Sequence, residues 1–422
     1  MSDLIRESAQ RSQVIIHEEI ARDGAQGKTL LNGDQRVQIA RRQSALFGTA
    51  AMHHLVFNAG FPSAGKEEFR ATRQVAEEVE ECYIGAAGRA IREDIDLLLS
   101  AVDGAKFPRI FIAVPASDRM AQTMMHCDGA QAAKSAVDMV RYAKDKRPEL
   151  CVDVALADAC RSDPGRVADT AVALTGAGMS MAIVCDTVGS LYPSESRTYY
   201  RDLVGSVGSE VGFVAHMHND LGFGLVNTLE ALSAGVYGLT SSWLSLGERA
   251  GMAATEQLLF ILGFQPEAFA KRFGVRAPLW RQEINLKMLP SLARYVSDVS
   301  GRPLGATDPI VGTGVNSIST GTPFTNPDLF QPFNPQTVLG IPPQVHLTAL
   351  ASTRVIAAVA TELGFSLSND EISSSLNWVK AEAFSRGSGV LGKEDFQAYL
   401  HEQGFGRGSD QNDLKERKVL FA

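Results

Sequence analysis

An α/β chain built as a closed (β/α)8 TIM barrel, followed by a mainly helical C-terminal extension, is what three observations predict. Short apolar runs alternate with longer helix-like stretches, the alternation occurs eight times, and it stops near residue 275. Parallel strands need long crossovers, and helices must cover both faces of such a sheet. Eight units in about 260 residues suit closure into a barrel better than an open doubly wound sheet.

The units follow in order. VIIHEEI (14–20) precedes a helix through about 34–49, and HHLVFNAG (53–60) precedes EEFRATRQVAEEVEE. CYIGAAG (82–88) leads to REDIDLLLSAV, RIFIAVPA (109–116) to one helix near 119–144, and CVDVALAD (151–158) to PGRVADTAVALTGAG. SMAIVCDT (180–187), GFVAHMH (212–218) and YGLTSSWLSLG (237–247) complete the set, each with its own helix after it. Glycines and polar turn residues punctuate the joints. The predicted domains are a catalytic barrel over 1–275, a post-barrel linker or subdomain over 276–342 and a small helical domain over 343–422. Within the middle part, 303–336 is rich in Gly, Pro, Thr and Asn and is too long for a simple connection, so it is expected to act as a lid or binding segment. The final GSDQNDLKERKVLFA is expected to be partly mobile.

With 422 residues, 45% of them apolar, the chain can bury a large core. A net charge of −8 argues against nonspecific attraction to nucleic acid or anionic membrane. Five cysteines never fall in a CxxC pair and read as reduced thiols of a cytoplasmic protein. MSDLIRESAQRSQ has no apolar leader segment, and no apolar run of eighteen residues occurs, so neither secretion nor a membrane span is expected.

Ligands of such barrels gather where the strands end. HMHND (216–220) closes the seventh strand-like run, and two-residue spacing puts His216 and His218 on one strand face. Asp23, at the end of the first run, could join them around one divalent cation. Imidazoles with a carboxylate suit zinc, manganese or cobalt, with magnesium the harder alternative. The bland alternative is a set of surface or satisfied core histidines. Arg22 could steady a carbonyl or enolate oxygen beside the metal, or simply form a salt bridge. Arg89, ending the third run, could bind a carboxylate in bidentate fashion, or be an ordinary arginine at a helix start. GERAG (247–251) offers Glu248 and Arg249 as ligand contacts or as a structural ion pair. DTVG (186–189) offers Asp186 and Thr187 to backbone or ligand.

Taken together, RDGAQ, AGFP, CDTVG, HMHNDLG and LGERAG resemble, in that order, the DRE-TIM metallolyase superfamily and especially its isopropylmalate synthase and homocitrate synthase branch. The likeness covers about residues 14–275 as barrel and extends to PIVGTGVNSISTG, NPDLFQPFNP and the helices after 343. It implies Asp23, His216 and His218 as metal ligands, Arg22 as the residue polarising a 2-oxo group, and Arg89 and Thr187 as contacts to the oxo acid. The implied activity is condensation of acetyl-CoA or another acyl-CoA with a 2-oxo acid, followed by thioester hydrolysis, in a homodimer. Cleavage of a related carbon–carbon bond is the alternative on the same metal site.

Several positions depart from the family pattern. Ala157 and Ala155 stand where a Glu and a polar residue are expected on the fifth strand, and Met252 replaces an Asn after GERAG. ISTGTP replaces a His-Glu-Ser-Gly-Ile-His run, leaving Ile318 and Pro323 at histidine positions. A weakly acidic thioester α-proton needs a positioned base. Substitutes are His346, Glu248, or His17 and Glu19, and the residues alone do not choose among them. A catalytically reduced homologue with a structural or regulatory role is the third reading.

Overall fold

A computed structural model describes residues 3–27, 29–387 and 389–406; the C-terminal GSDQNDLKERKVLFA lies outside these residues. Eight parallel strands close in sequential order: β1 (Ile15–Glu18), β2 (Leu55–Asn58), β3 (Tyr83–Arg89), β4 (Pro108–Pro115), β5 (Cys151–Ala157), β6 (Met181–Asp186), β7 (Gly212–Met217) and β8 (Gly238–Ser241). β8 returns to β1 in register from Ile15 opposite Gly238 to Glu18 opposite Ser241, so the sheet has no edge. The predicted TIM barrel is present. No helix among the described residues is long and apolar enough to cross a membrane, and all five cysteines are free thiols.

Alternation sets the two faces of each strand. On β4 and β5 the outward Ile112, Val114, Val154 and Leu156 are no more than 1% exposed beneath the helices. Inward, Ile15, Val56, Tyr83, Phe111, Met181, Ile183 and Val214 form one packed interior cluster. The barrel is therefore filled along its lower length and opens only at the ends of its strands.

Local chemistry explains where the sequence reading and the structure differ. The single helix expected near 119–144 is two, Asp118–Met125 and Gly129–Lys146. His126 takes a left-handed φ of 55° between them, and Asp128 with Gln131 forms a capping box that restarts the helix. The eighth run is strand only to Ser241; Trp243–Ser245 then forms a tight turn with Leu244 at φ 56° and Ser245 at φ 58°. The polar N-terminus contains a helix, Leu4–Gln10, capped by Asp3 and burying Ile5.

The chain divides into two compact units, Met1–Leu304 with Pro309–Val311 and Gly305–Asp308 with Gly312–Ala422. The sequence reading placed its boundaries at 275 and 342, but 276–304 groups with the barrel for a physical reason. Leu279 accepts the Val14 amide hydrogen at 2.9 Å, Trp280 donates its indole N–H to Leu262 at 2.8 Å, and Trp280 packs against Phe47 and His54. In the second unit Thr353–Glu362, Asn369–Arg386 and Lys393–Glu402 surround a core of Leu347, Val355, Ile356, Val359, Phe396 and Leu400. Ser317–Ile318 and Gln344–Val345 form a short parallel pair there.

Candidate active site

The turn after β1 and the end of β7 bring Asp23, His216 and His218 together, with ligand atoms all within 4.8 Å of one another. The two Nε2 atoms are 3.3 Å apart, and Asp23 Oδ2 lies 3.8 Å from one and 4.0 Å from the other. Two imidazoles sharing a tetrahedral cation at ordinary bond lengths would put their nitrogens about 3.4 Å apart. All three residues are buried.

Their orientation is set by neighbours on other strands. His218 Nδ1 faces the Gly251 carbonyl at 3.3 Å, which fixes that nitrogen as donor and leaves Nε2 a free lone pair. His216 Nδ1 faces Thr240 Oγ1 at 3.2 Å. Asp23 Oδ1 accepts the Glu248 amide hydrogen at 2.9 Å, which turns Oδ2 toward the histidines. Burial, then His218 and Arg22, hold the His216 pKa well below its ordinary value, so this imidazole is neutral and fit to coordinate. Burial pushes the Asp23 carboxyl up, but Arg22, with help from the Glu248 amide, outweighs it and holds the pKa down. The donor set fits a divalent cation, and the bland reading of satisfied core histidines does not account for two ring nitrogens turned toward one carboxylate.

Arg22 lies between two carboxylates, with Nε 2.8 Å from Glu19 Oε2 and Nη1 3.1 Å from Asp23 Oδ2. Glu19 also accepts from Asn58 Nδ2 at 3.1 Å. Arg22 thus makes salt bridges and still keeps 20% of its side chain exposed beside the triad.

Two features that the sequence reading missed hold this geometry. Glu18, one residue before Glu19, points the opposite way on β1 and is fully buried. Its carboxyl accepts from the Ile20 and Trp243 amides, Thr255 Oγ1 and Gln43 Nε2, tying the turn that carries Asp23 to the loop after β8. Burial pushes its pKa up to about 8 against those four donors. An acid inside an apolar strand was the only signal. Close backbone approach is the second feature: a Cβ at Gly27 would sit 2.3 Å from the Gly247 carbonyl, and one at Gly251, at φ +85°, would strike the Ser245 carbonyl.

The remaining predicted residues divide by what they touch. Arg249 joins three loops, donating to both oxygens of Asp220 and to the Thr187 carbonyl, and also lies 3.2 Å from Glu248. Asp186 closes its own turn by accepting from the Ser190 and Leu191 amides. Thr187 Oγ1 accepts the Asp158 amide hydrogen, so its hydroxyl proton is available to a ligand. Arg89 is 61% exposed and gripped by both oxygens of Asp94. Met252 is buried, bridged to His218 through backbone.

Among the proposed bases, Glu248 is half exposed on the loop that donates to Asp23. His17 is sealed in the barrel against the Phe111 ring, and burial pulls its pKa down to about 3. His346 lies in the second unit with Nε2 3.3 Å from Ser317 Oγ. Ile318 is buried in the short pair, and Pro323 sits in the helix Gly321–Thr325; neither is a base.

A closed parallel barrel with a convergent, preorganised donor set at the ends of its strands defines an enzyme of the (β/α)8 class. The chain belongs to the HMGL-like family, whose profile matches residues 13–296, in agreement with the DRE-TIM resemblance. It is 29% identical over 86% of its length, and 88% of the relative's, to 2-isopropylmalate synthase 1 of Caldanaerobacter subterraneus subsp. tengcongensis. It is 26% identical to 2-isopropylmalate synthase of Geobacillus kaustophilus over 95% of this chain and 75% of that one. Among solved structures, hydroxymethylglutaryl-CoA lyase from Pseudomonas aeruginosa matches the fold with a TM-score of 0.54 at 19% identity, over 69% of this chain and 94% of that one.

Proposed function

We propose that this chain catalyses a divalent-metal-dependent, Claisen-type condensation of acetyl-CoA or another acyl-CoA with a 2-oxo acid. The observation that carries this reading is the convergence of Asp23, His216 and His218 beside Arg22. Relatives named 2-isopropylmalate synthase support the acyl transfer. Zinc, manganese, cobalt or magnesium held by the triad would supply Lewis-acid polarisation of the 2-oxo carbonyl.

The chain's own groups do the rest. Thr187 donates its hydroxyl hydrogen to the substrate carboxylate, and Arg89 offers its unbonded edge at the rim. Glu248 takes the acyl α-proton, and the resulting carbanion forms a bond to C2 of the oxo acid. As that bond forms, the π electron pair of the C2 carbonyl moves onto the oxo oxygen, which becomes an alkoxide beside Arg22, whose guanidinium stabilises the new charge where water is scarce. Protonation and hydrolysis of the thioester release the hydroxy diacid and free CoA thiol.

The test is thiol release from acetyl-CoA by metal-loaded protein with a panel of 2-oxo acids. Glu248→Gln and His346→Ala separate the two proposed bases: the true one lowers kcat by about 100-fold or more. A second reading on the same donor set is metal-dependent carbon–carbon lyase or aldolase action, which would release a 2-oxo acid from a hydroxy acid without CoA. Bound metal with no turnover in either assay would leave the third reading, a catalytically reduced homologue. A cytoplasmic homodimer is the setting we propose from composition and family likeness.

A further inference from the structure

The barrel mouth is lopsided. On the β1, β2 and β7 side the inward residues are polar and sealed: Glu19 and Asn58 are 1% exposed and His216 4%. On β3, β4 and β5 the inward positions toward the strand ends include Ala87, Ala113, Ala155 and Ala157, with Arg89 opposite Ala113. The inward direction follows from alternation with Tyr83, Phe111, Cys151 and Ala155 of the interior cluster. Bulky branched side chains ordinarily fill such barrel positions. Alanines near the ends of these three strands fill less of that space, with Arg89 and Pro115 as the last inward residues of β3 and β4.

Exposure shows where the space lies. Ala113, Ala155 and Ala157 are partly exposed, whereas their outward neighbours Ile112, Val114, Val154 and Leu156 are at most 1% exposed. Solvent therefore reaches these strands from inside the mouth and not from the helical side. Register places Ala113 opposite Ala155 and Pro115 opposite Ala157, so three methyl groups and a proline ring form one apolar wall. Phe61, following β2, and Ala155 pack against the interior cluster as partly buried members, and Phe111 forms part of that cluster below. Cys185 on β6 continues the apolar lining toward the triad. The nearby cations are already neutralised: Arg89 by Asp94, and Arg161 by Asp158.

We propose that this wall receives the side chain of the 2-oxo acid and that the side chain is an aryl-sized hydrocarbon without a second carboxylate. The inference rests on the oxo-acid reading of the site given above. A planar ring suits a broad wall of methyl groups, and Phe61 adds an aromatic surface at its edge. A second carboxylate would enter an apolar space whose bordering arginines, Arg89 and Arg161, each already hold a carboxylate.

The experiment measures calorimetric binding to manganese-loaded protein without acyl-CoA, and thiol release with acetyl-CoA in parallel. The probes are phenylpyruvate, 3-methyl-2-oxobutanoate, pyruvate and 2-oxoglutarate. Phenylpyruvate is expected to bind at least tenfold more tightly than each of the others. Ala155→Leu, and independently Ala113→Val, should weaken phenylpyruvate at least tenfold while changing pyruvate less than threefold. Tightest binding of any other probe overturns the inference, as does a substitution that weakens all probes equally in a folded variant. Phenylpyruvate binding without thiol release sinks the condensation reading and leaves the aryl pocket standing; thiol release with pyruvate preferred does the reverse.

Discussion

Both ends of the barrel bury charge, and they use it in opposite ways. At the end where strands begin, Arg109 is fully buried between Asp153 and Asp3, with Nη1 2.6 Å from Asp153, and a cation–π contact to Tyr83. Asp3 comes from the cap of the first helix, so this cluster ties the N-terminus to the barrel. At the end where strands finish, Asp23, His216 and His218 turn their ligand atoms toward one point. The first arrangement pairs its one cation with carboxyl groups on two sides and holds the fold. The second gathers three donor groups at one point, where we propose that a divalent cation is held. Buried polarity alone therefore does not mark a functional site; donors converging without an acceptor between them do.

The largest test of this contrast is at the mouth. His216→Ala or Asp23→Asn should abolish stoichiometric metal, read by elemental analysis, and lower thiol release by roughly 1000-fold or more. The melting temperature of the metal-free protein should hardly move. At the other end, Arg109→Met leaves two carboxylates without their cation and should cost about 3–5 kcal/mol in urea unfolding, with kcat per folded molecule nearly unchanged. A loss of activity without a loss of stability there would break the comparison.

His54 sharpens it through pH. Nδ1–H donates to the Val14 carbonyl at 2.7 Å and Nε2 accepts the Arg281 amide hydrogen at 3.0 Å, so the buried ring is neutral. Burial pulls its pKa from 6.5 down to about 4. The unfolded chain then binds more protons between these values, so this contribution is complete above pH 6.5 and is lost as pH falls toward 4. The expected loss is up to about 3 kcal/mol, and His54→Gln should flatten that limb of a stability–pH curve. The smallest expected effect is Arg249→Lys, which keeps the charge but loses the fork that joins Asp220 to Thr187. We expect about a tenfold fall in kcat/KM, mostly through KM, with metal content retained.

Much of this molecule was legible in sequence. Eight alternations announced the barrel, and the HxH spacing at a strand end, with Asp23 at another, announced the donor set. Other features were hidden because their partners are remote in the chain. Glu18 meets the Trp243 amide across 225 residues, and Arg109 meets Asp3 across 106. Arg89 and GERAG were recognised as charged elements, but sequence could not say that Asp94 already occupies the first or that Arg249 spans three loops.

Periodicity and strand-end position are local properties, so the amino-acid order by itself determined the barrel and nominated Asp23, His216 and His218. Which nitrogen of each ring faces the centre was decided only by tertiary structure, because the Gly251 carbonyl and the Thr240 hydroxyl that occupy the other nitrogens arrive from separate segments. The same holds for the wall of Ala113, Ala155 and Ala157. A small residue is unremarkable in a strand, and becomes an opening only when a neighbouring strand sets another beside it, as Ala113 stands opposite Ala155 with Ala157 two residues further on.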